Sequence, residues 1–267
     1  MKKQLIILLL ILTAMLSSCD DLEQTVDSNL PYIEKLIIQG QFGINSRNLS
    51  VSVTKSLPPL EKPTLDKVTI KDADCKVYYK DKVMNLIYQG ESKYVSEDTL
   101  TIEEGVDYRL EVKWNDKVAM ASTTIPQNPE IISIVKKPYK DQGQTRYVYE
   151  FNLIAKDKGM IGFGFSGERS YYGEFNLLNK ENTNYKVYTE RIITLQDSSE
   201  IFTYGYFDRQ FYPYYQTRNE GNSDGSIFSN GGLNMEGNVK GENVFGVWFG
   251  YNTFGGRIED YLDIFTK

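Results

Sequence analysis

From Glu34 onward the chain alternates with a period of two. Leu36 and Ile38 alternate with Ile37 and Gln39 ahead of Gly40, and Leu49, Val51 and Val53 alternate with Ser50, Ser52 and Thr54. Such a period turns one side of a segment to a core and the other to water, which predicts half-buried strands. Further strands are predicted at 68–70, 75–79, 84–88, 108–114 and 118–124. Along the fourth of these, Tyr108, Leu110, Val112 and Trp114 share one face while Arg109, Glu111 and Lys113 take the other. Asn115-Asp116 fits a tight hairpin to the next strand. Leu57-Pro58-Pro59-Leu60 leads through Pro63 as a loop that a central strand could not accommodate. Short strands separated by turn residues predict a β-sandwich of immunoglobulin-like or transthyretin-like type over residues 31–126.

Ile125-Pro126-Gln127-Asn128-Pro129 holds two prolines in five residues and reads as a boundary. Beyond it the composition shifts. Fourteen of the 20 tyrosines and 12 of the 13 phenylalanines follow residue 130, so the second core is expected to be built from rings. Strands are predicted at 131–135, 147–155, 160–165, 171–178, 185–195, 201–207 and 244–251. Gly162, Gly164 and Gly173 within these aromatic runs suggest bulges or close backbone approach. Helical spacing is confined to a turn or two near 258–264. The whole is an all-β chain, with a second, aromatic-rich antiparallel β-domain over 127–267.

The N-terminus follows a different rule. Lys2 and Lys3 precede an apolar run from Leu5 to Leu12, about the length of a signal-peptide core and too short to span a bilayer. Leu16-Ser17-Ser18-Cys19 then looks like a bacterial lipobox. Cleavage after residue 18 and acylation at Cys19 would leave a lipid anchor, to which each buried CH₂ contributes about 0.8 kcal/mol. Residues 20–30, opening Asp20-Asp21-Leu22-Glu23, are too polar to order themselves and read as a tether. Acidic residues directly after the lipidated cysteine also resemble the surface-export signals of Bacteroidetes lipoproteins. A solvated linker is the other reading, so cell surface and periplasmic face both stay open.

Charge and composition narrow the chemistry. The formal net charge is −6, and about −8 once Lys2 and Lys3 are removed. A nucleic-acid partner is disfavoured, since phosphate binding needs clustered Lys and Arg. The chain contains no histidine, which excludes Ser-His-Asp and Cys-His catalysis and HExxH zinc chemistry. Two cysteines are present. With Cys19 lipidated, Cys75 has no disulfide partner and reads as a small buried hydrophobe.

Candidate chemistry is sparse. Glu220, Asn222 and Asp224 with Gly225 loosely echo a calcium loop, but Gly231 stands where the bidentate glutamate belongs, and a surface loop is the simpler reading. No cofactor is expected. Phe211, Tyr212, Tyr214 and Tyr215, with Asp208 and Arg209 nearby, form an aromatic run. It could pack as core or lie exposed to stack on a ligand or anchor a partner. Pro213 favours a loop. Paired carboxylates for glycoside hydrolysis could be drawn from Asp197, Glu200, Asp208, Glu220 and Asp224, yet nothing in the sequence distinguishes them. An enzyme is not expected.

Several segments resemble one family in order. Leu36-Ile37-Ile38-Gln39-Gly40 is similar to its opening strand and Ser52-Val53-Thr54-Lys55-Ser56 to its second. Asp72-Ala73-Asp74-Cys75-Lys76-Val77 is similar to a later strand. Tyr108-Arg109-Leu110-Glu111-Val112 with Ala121-Ser122-Thr123-Thr124-Ile125-Pro126 resembles the hairpin, and Gly241–Gly250 resembles a glycine-rich final strand. Together with the lipobox, the chain resembles the Bacteroidetes lipoproteins classed as domain of unknown function 4249. It departs from their pattern by the insertion of Trp248. The resemblance implies an outer-membrane lipoprotein, often encoded beside a TonB-dependent receptor, and brings no catalytic residues. The expected role is binding, as an accessory subunit of a nutrient transporter, for a small-molecule, peptide or glycan ligand. A stand-alone surface glycan-binding module is the alternative, and a carboxylate-dependent hydrolase the third reading.

Overall fold

The computed structural model describes residues 31–141, 144–165, 175–188, 201–219, 236–257 and 260–261. The expectations for the leader and Cys19, for Gly173, Asp197 and Glu200, for Glu220, Asn222 and Asp224, and for most of 258–264 lie outside these residues. Glu34–Leu57 and Lys62–Lys267 belong to one compact unit. Pro58–Glu61 is set apart from it as a turn in which Glu61 N donates to Pro58 O at 3.1 Å.

The chain is nearly all β, as its alternation predicts. Its strands are β1 (Leu36–Gly43), β2 (Ser50–Lys55), β3 (Asp74–Tyr79), β4 (Lys82–Gly90), β5 (Lys93–Ser96), β6 (Asp107–Trp114) and β7 (Lys117–Thr124). There follow β8 (Glu130–Asp141), β9 (Gln144–Ala155), β10 (Gly159–Phe165), β11 (Asn176–Leu178), β12 (Thr183–Tyr188), β13 (Ile201–Asp208) and β14 (Val244–Arg257). Eleven of them form one sheet in the order β11-β10-β13-β14-β1-β2-β5-β4-β3-β6-β7, and β12-β9-β8 form a second. The β6–β7 hairpin turns at Asn115, whose φ of 51° is a left-handed conformation that asparagine tolerates.

Two short helices depart from the expected strands and loops. Residues 68–70 were expected as a strand; instead Leu65–Val68 form a helical turn, α1, and Thr69 meets Thr54 in an isolated bridge. Tyr212–Asn219 form the helix α2, preceded by a 3₁₀ turn at Arg209–Phe211. Pro213 sits in the first turn of α2, where its missing N–H costs nothing. Hence a proline that suggests a loop here begins a helix.

The cores explain the architecture. In the first, Leu36, Ile38 and Phe42 of β1 meet Val77 of β3, Tyr108, Leu110 and Val112 of β6, and Trp248 of β14. β7 packs back against β14: Gly250 N donates to Thr123 Oγ1 at 2.8 Å, and Met120 bridges Lys240. The second core lies between the small sheet and the far end of the large one, with Phe151 of β9 stacked on Phe163 of β10 at 3.9 Å between ring centroids. A third, aromatic cluster joins Phe211 and Tyr214 to Val247 and Phe249. β14 borders all three: Trp248 points to the first, Val247 and Phe249 to the third, and Phe254 meets Phe202 and Tyr204 of the second.

Both the first core, which draws Val239 and Trp248 from beyond the proline pair at 126–129, and the large sheet run straight through that expected boundary. β1 lies parallel to β14, with Gly40 opposite Trp248. The segment between them is also tied down. Gly105 N donates to Ile125 O at 2.8 Å, Asn252 Nδ2 to Pro126 O at 3.1 Å, and Gln127 N to Asp157 Oδ2 at 2.8 Å. Gly162, flagged by its place among aromatics, marks a close approach: a Cβ there would stand 2.6 Å from the Phe175 ring.

On the small sheet, the buried Glu150 carboxylate takes a hydrogen bond from Lys137 and lies 3.5 Å from Lys186. The Lys137 hydrogen bond, then that from Tyr188, holds the Glu150 carboxyl down at about 2, well below its ordinary 4.5. A carboxyl depressed on folding stabilises the native state above its unfolded value, and that contribution is lost as pH falls through the folded value. Stability is therefore expected to drop between about pH 4.5 and about pH 2, and Glu150→Gln to flatten that limb. Urea midpoints measured across the window check this.

Candidate functional site

The site begins at the end of β13. Asp208 is buried, and its Oδ2 accepts from Thr123 Oγ1 at 2.6 Å and from Thr124 N at 2.8 Å. Its Oδ1 accepts from Gln210 N at 3.0 Å, capping the 3₁₀ turn. These bonds swing the chain back over the large sheet and deliver Phe211 and α2 to the outward side of β14. There Phe211 lies 4.1 Å from Phe249 and 5.3 Å from Phe207, centroid to centroid. Phe175 closes the far side, 4.8 Å from Tyr215. Ring-on-ring packing of this kind contributes roughly 0.5–1.5 kcal/mol per pair beyond area burial.

Between this cluster and β1 lies an open groove of about 300 Å³. Its floor is made by Phe211, Tyr214, Val247 and Phe249. Its rim on the β1 side is Gln39, Gly40 and Gln41. The two glutamines stand two residues apart and so project from the same face of the strand. Neither side-chain amide is hydrogen-bonded to a described residue. None of the seven lining residues carries a charge at neutral pH.

The aromatic run is therefore distributed between two roles. Of the two placements open to the run, core or exposed surface, Phe211 and Tyr214 take the first, at 7% and 9% exposure, while Tyr212 and Tyr215 are half-buried. The 3₁₀ turn and the helix bring Phe211 and Tyr214 onto the sheet, which the local sequence could not show because their cover is β14. Arg209 is exposed and takes no part in the groove. Asp208 faces three donors, two on β7 and one in the 3₁₀ turn, so its carboxylate ties these elements together.

Gln39 and Gln41 were missed as site residues. A signal existed in β14, where Val247, Trp248 and Phe249 are apolar in succession. A strand buried on both sides reads as a continuous apolar run, so its second face had to be covered by something. Among the described residues no three His, Cys, Asp or Glu side chains converge as metal ligands. No described helix is long and apolar enough to cross a membrane, which says nothing of a β-barrel. Cys75 is buried in the first core, and burial pushes its thiol up to about 12.

Fold and groove together define a large-sheet β protein with an uncharged, aromatic-floored groove. The chain belongs to the family described as a domain of unknown function, DUF4249, whose model matches residues 21–256. No curated protein matches it. Among solved structures it is similar to a DUF4785 family protein from Legionella pneumophila, at 10% identity and a TM-score of 0.21. That alignment covers 64% of this chain and 51% of the other, and a likeness at this level carries no argument.

Proposed function

We propose that the protein is a lipid-anchored outer-membrane binding protein, an accessory subunit of a TonB-dependent nutrient transporter. The observation that carries this reading is Leu16-Ser17-Ser18-Cys19 behind a short apolar run and two lysines. A diacylated or triacylated cysteine would hold the body within a tether's length of the membrane. Confinement of that kind raises effective concentration, so a modest contact with a membrane partner suffices. The family resemblance supplies the TonB-dependent receptor as that partner, and Asp20-Asp21 supports display at the cell surface. Binding rather than catalysis is favoured by the histidine-free sequence.

The test is a mild-detergent pull-down from native outer membranes through a C-terminal tag. A stoichiometric TonB-dependent barrel is expected, and a protein that emerges alone would overturn the accessory role. Lipidation has its own readout. A thioether at Cys19 leaves Cys75 as the one titratable thiol, and its burial predicts slow reaction in the native protein and full reaction after denaturation. Two thiols in the denatured mature protein would refute the anchor.

A further inference from the structure

We infer that the groove between α2 and strands β1 and β14 binds a neutral saccharide ring. This deepens the binding role proposed above and rests on it. Phe211, Tyr214, Val247 and Phe249 line the groove's apolar part, and Gln39 and Gln41, the β1 partners of Val247 and Phe249, line the other. Each amide offers one acceptor oxygen and two N–H donors. An occupant matched to both must be apolar on one side and must carry groups that both donate and accept along its edge.

A pyranose has that character. Its C–H face suits an aromatic floor, and its perimeter hydroxyls each donate and accept. Gln39 and Gln41 are two residues apart on an extended strand, about 7 Å, a spacing that lets both reach the hydroxyl edge of one ring or of two joined rings. A hydrocarbon would cover the floor but offer no partner to the amides of the half-buried Gln39 and the exposed Gln41. A charged ligand would shed hydration without meeting an opposite charge, since the lining carries none. At about 300 Å³ the groove lies at the lower end of small-molecule sites.

The floor is also preorganised. Phe211 is fixed by Phe249 and Phe207, and the backbone that bears it is capped by Asp208. Little ordering remains to be done when a ligand enters, which favours affinity at small contact area.

The experiment is calorimetric titration of the full-length, detergent-solubilised protein with maltose, cellobiose and lactose, with glucuronate and glucosamine as charged controls. At least one neutral disaccharide is expected to saturate below about 10 mM, the weak end of measurable affinity. The double substitution Gln39→Ala/Gln41→Ala is expected to weaken it about tenfold or more, the loss that one or two hydrogen bonds represent, with the thermal midpoint unchanged. Absence of saturation by all three sugars, equal binding of the charged controls, or insensitivity to the double substitution would each overturn the assignment. A barrel that co-purifies while the sugars fail would leave the accessory role standing and remove only the saccharide. Sugar binding without a barrel would do the reverse.

Discussion

Trp248→Ala is expected to lower stability by about 3–5 kcal/mol, the range for emptying a large aromatic from a core. For a chain of this size each kcal/mol shifts the thermal midpoint by roughly 2–4 °C, so a fall on the order of 10 °C should be seen. The indole is fully buried, and its ring lies 4.9 Å from that of Phe42, centroid to centroid. Its backbone is clamped as well: Trp248 N donates to Asn238 Oδ1 at 2.8 Å, and Asn238 Nδ2 donates to Trp248 O and to Ser122 O. The space for the indole comes from Gly40, its partner in the β1–β14 register. A Cβ at Gly40 would stand 2.8 Å from the Trp248 ring and 2.8 Å from Ser50 O. Gly40→Ala should therefore destabilise the native chain, and part of that cost should vanish in the Trp248→Ala background. Thermal and urea unfolding of the four proteins of the cycle measure the coupling; strict additivity would show that the two positions do not share the cavity.

This pair also shows where the sequence stops being legible. The departure of Trp248 from the family pattern is visible in the chain, and Gly40 stands in a segment that alternation alone identifies as a strand. That the two face each other depends on a parallel pairing across some two hundred residues, which no local pattern encodes. Locally specified features fare differently. Tyr108, Leu110 and Val112 are buried and Arg109 and Lys113 exposed, because period two leaves little choice once one face meets a core. Cys75 is buried for the same reason. β5 escaped notice because Lys93–Ser96 is four residues long and mostly polar, too short for a period to register. α2 escaped because rings and a proline dominate Phe211–Tyr215, and the helix is held by what it covers rather than by propensity. The candidate site inherits this limit. Its aromatic half was readable as an aromatic run, but its amide half belongs to β1, some 170 residues earlier in the chain.

Asp208→Ala is expected to cost about 2–4 kcal/mol, because three donors lose a charged acceptor and one of them, the Thr123 hydroxyl, is buried. Thr123 is buried, and its hydroxyl both donates to Asp208 and accepts from Gly250 N, so it links β13, β7 and β14 at one point. Removing the carboxylate breaks that link and strips the cap from the 3₁₀ turn that carries Phe211. Asp208→Asn keeps the shape, but its amide N–H₂ must face either the Thr124 N–H or the Gln210 N–H, donor against donor. It should fall between wild type and Asp208→Ala. Arg209→Ala, one residue on and exposed, should change the urea midpoint little, since exposed side chains away from such networks shift stability by about 0.5 kcal/mol or less. The contrast separates two readings of this neighbourhood. If Asp208 and Arg209 acted together on a ligand, both substitutions would impair binding at unchanged stability. If Asp208 seats the turn, Asp208→Ala alone lowers the unfolding midpoint and loosens the groove with it, while Thr123→Val reproduces much of the loss from the other side of the same hydrogen bond.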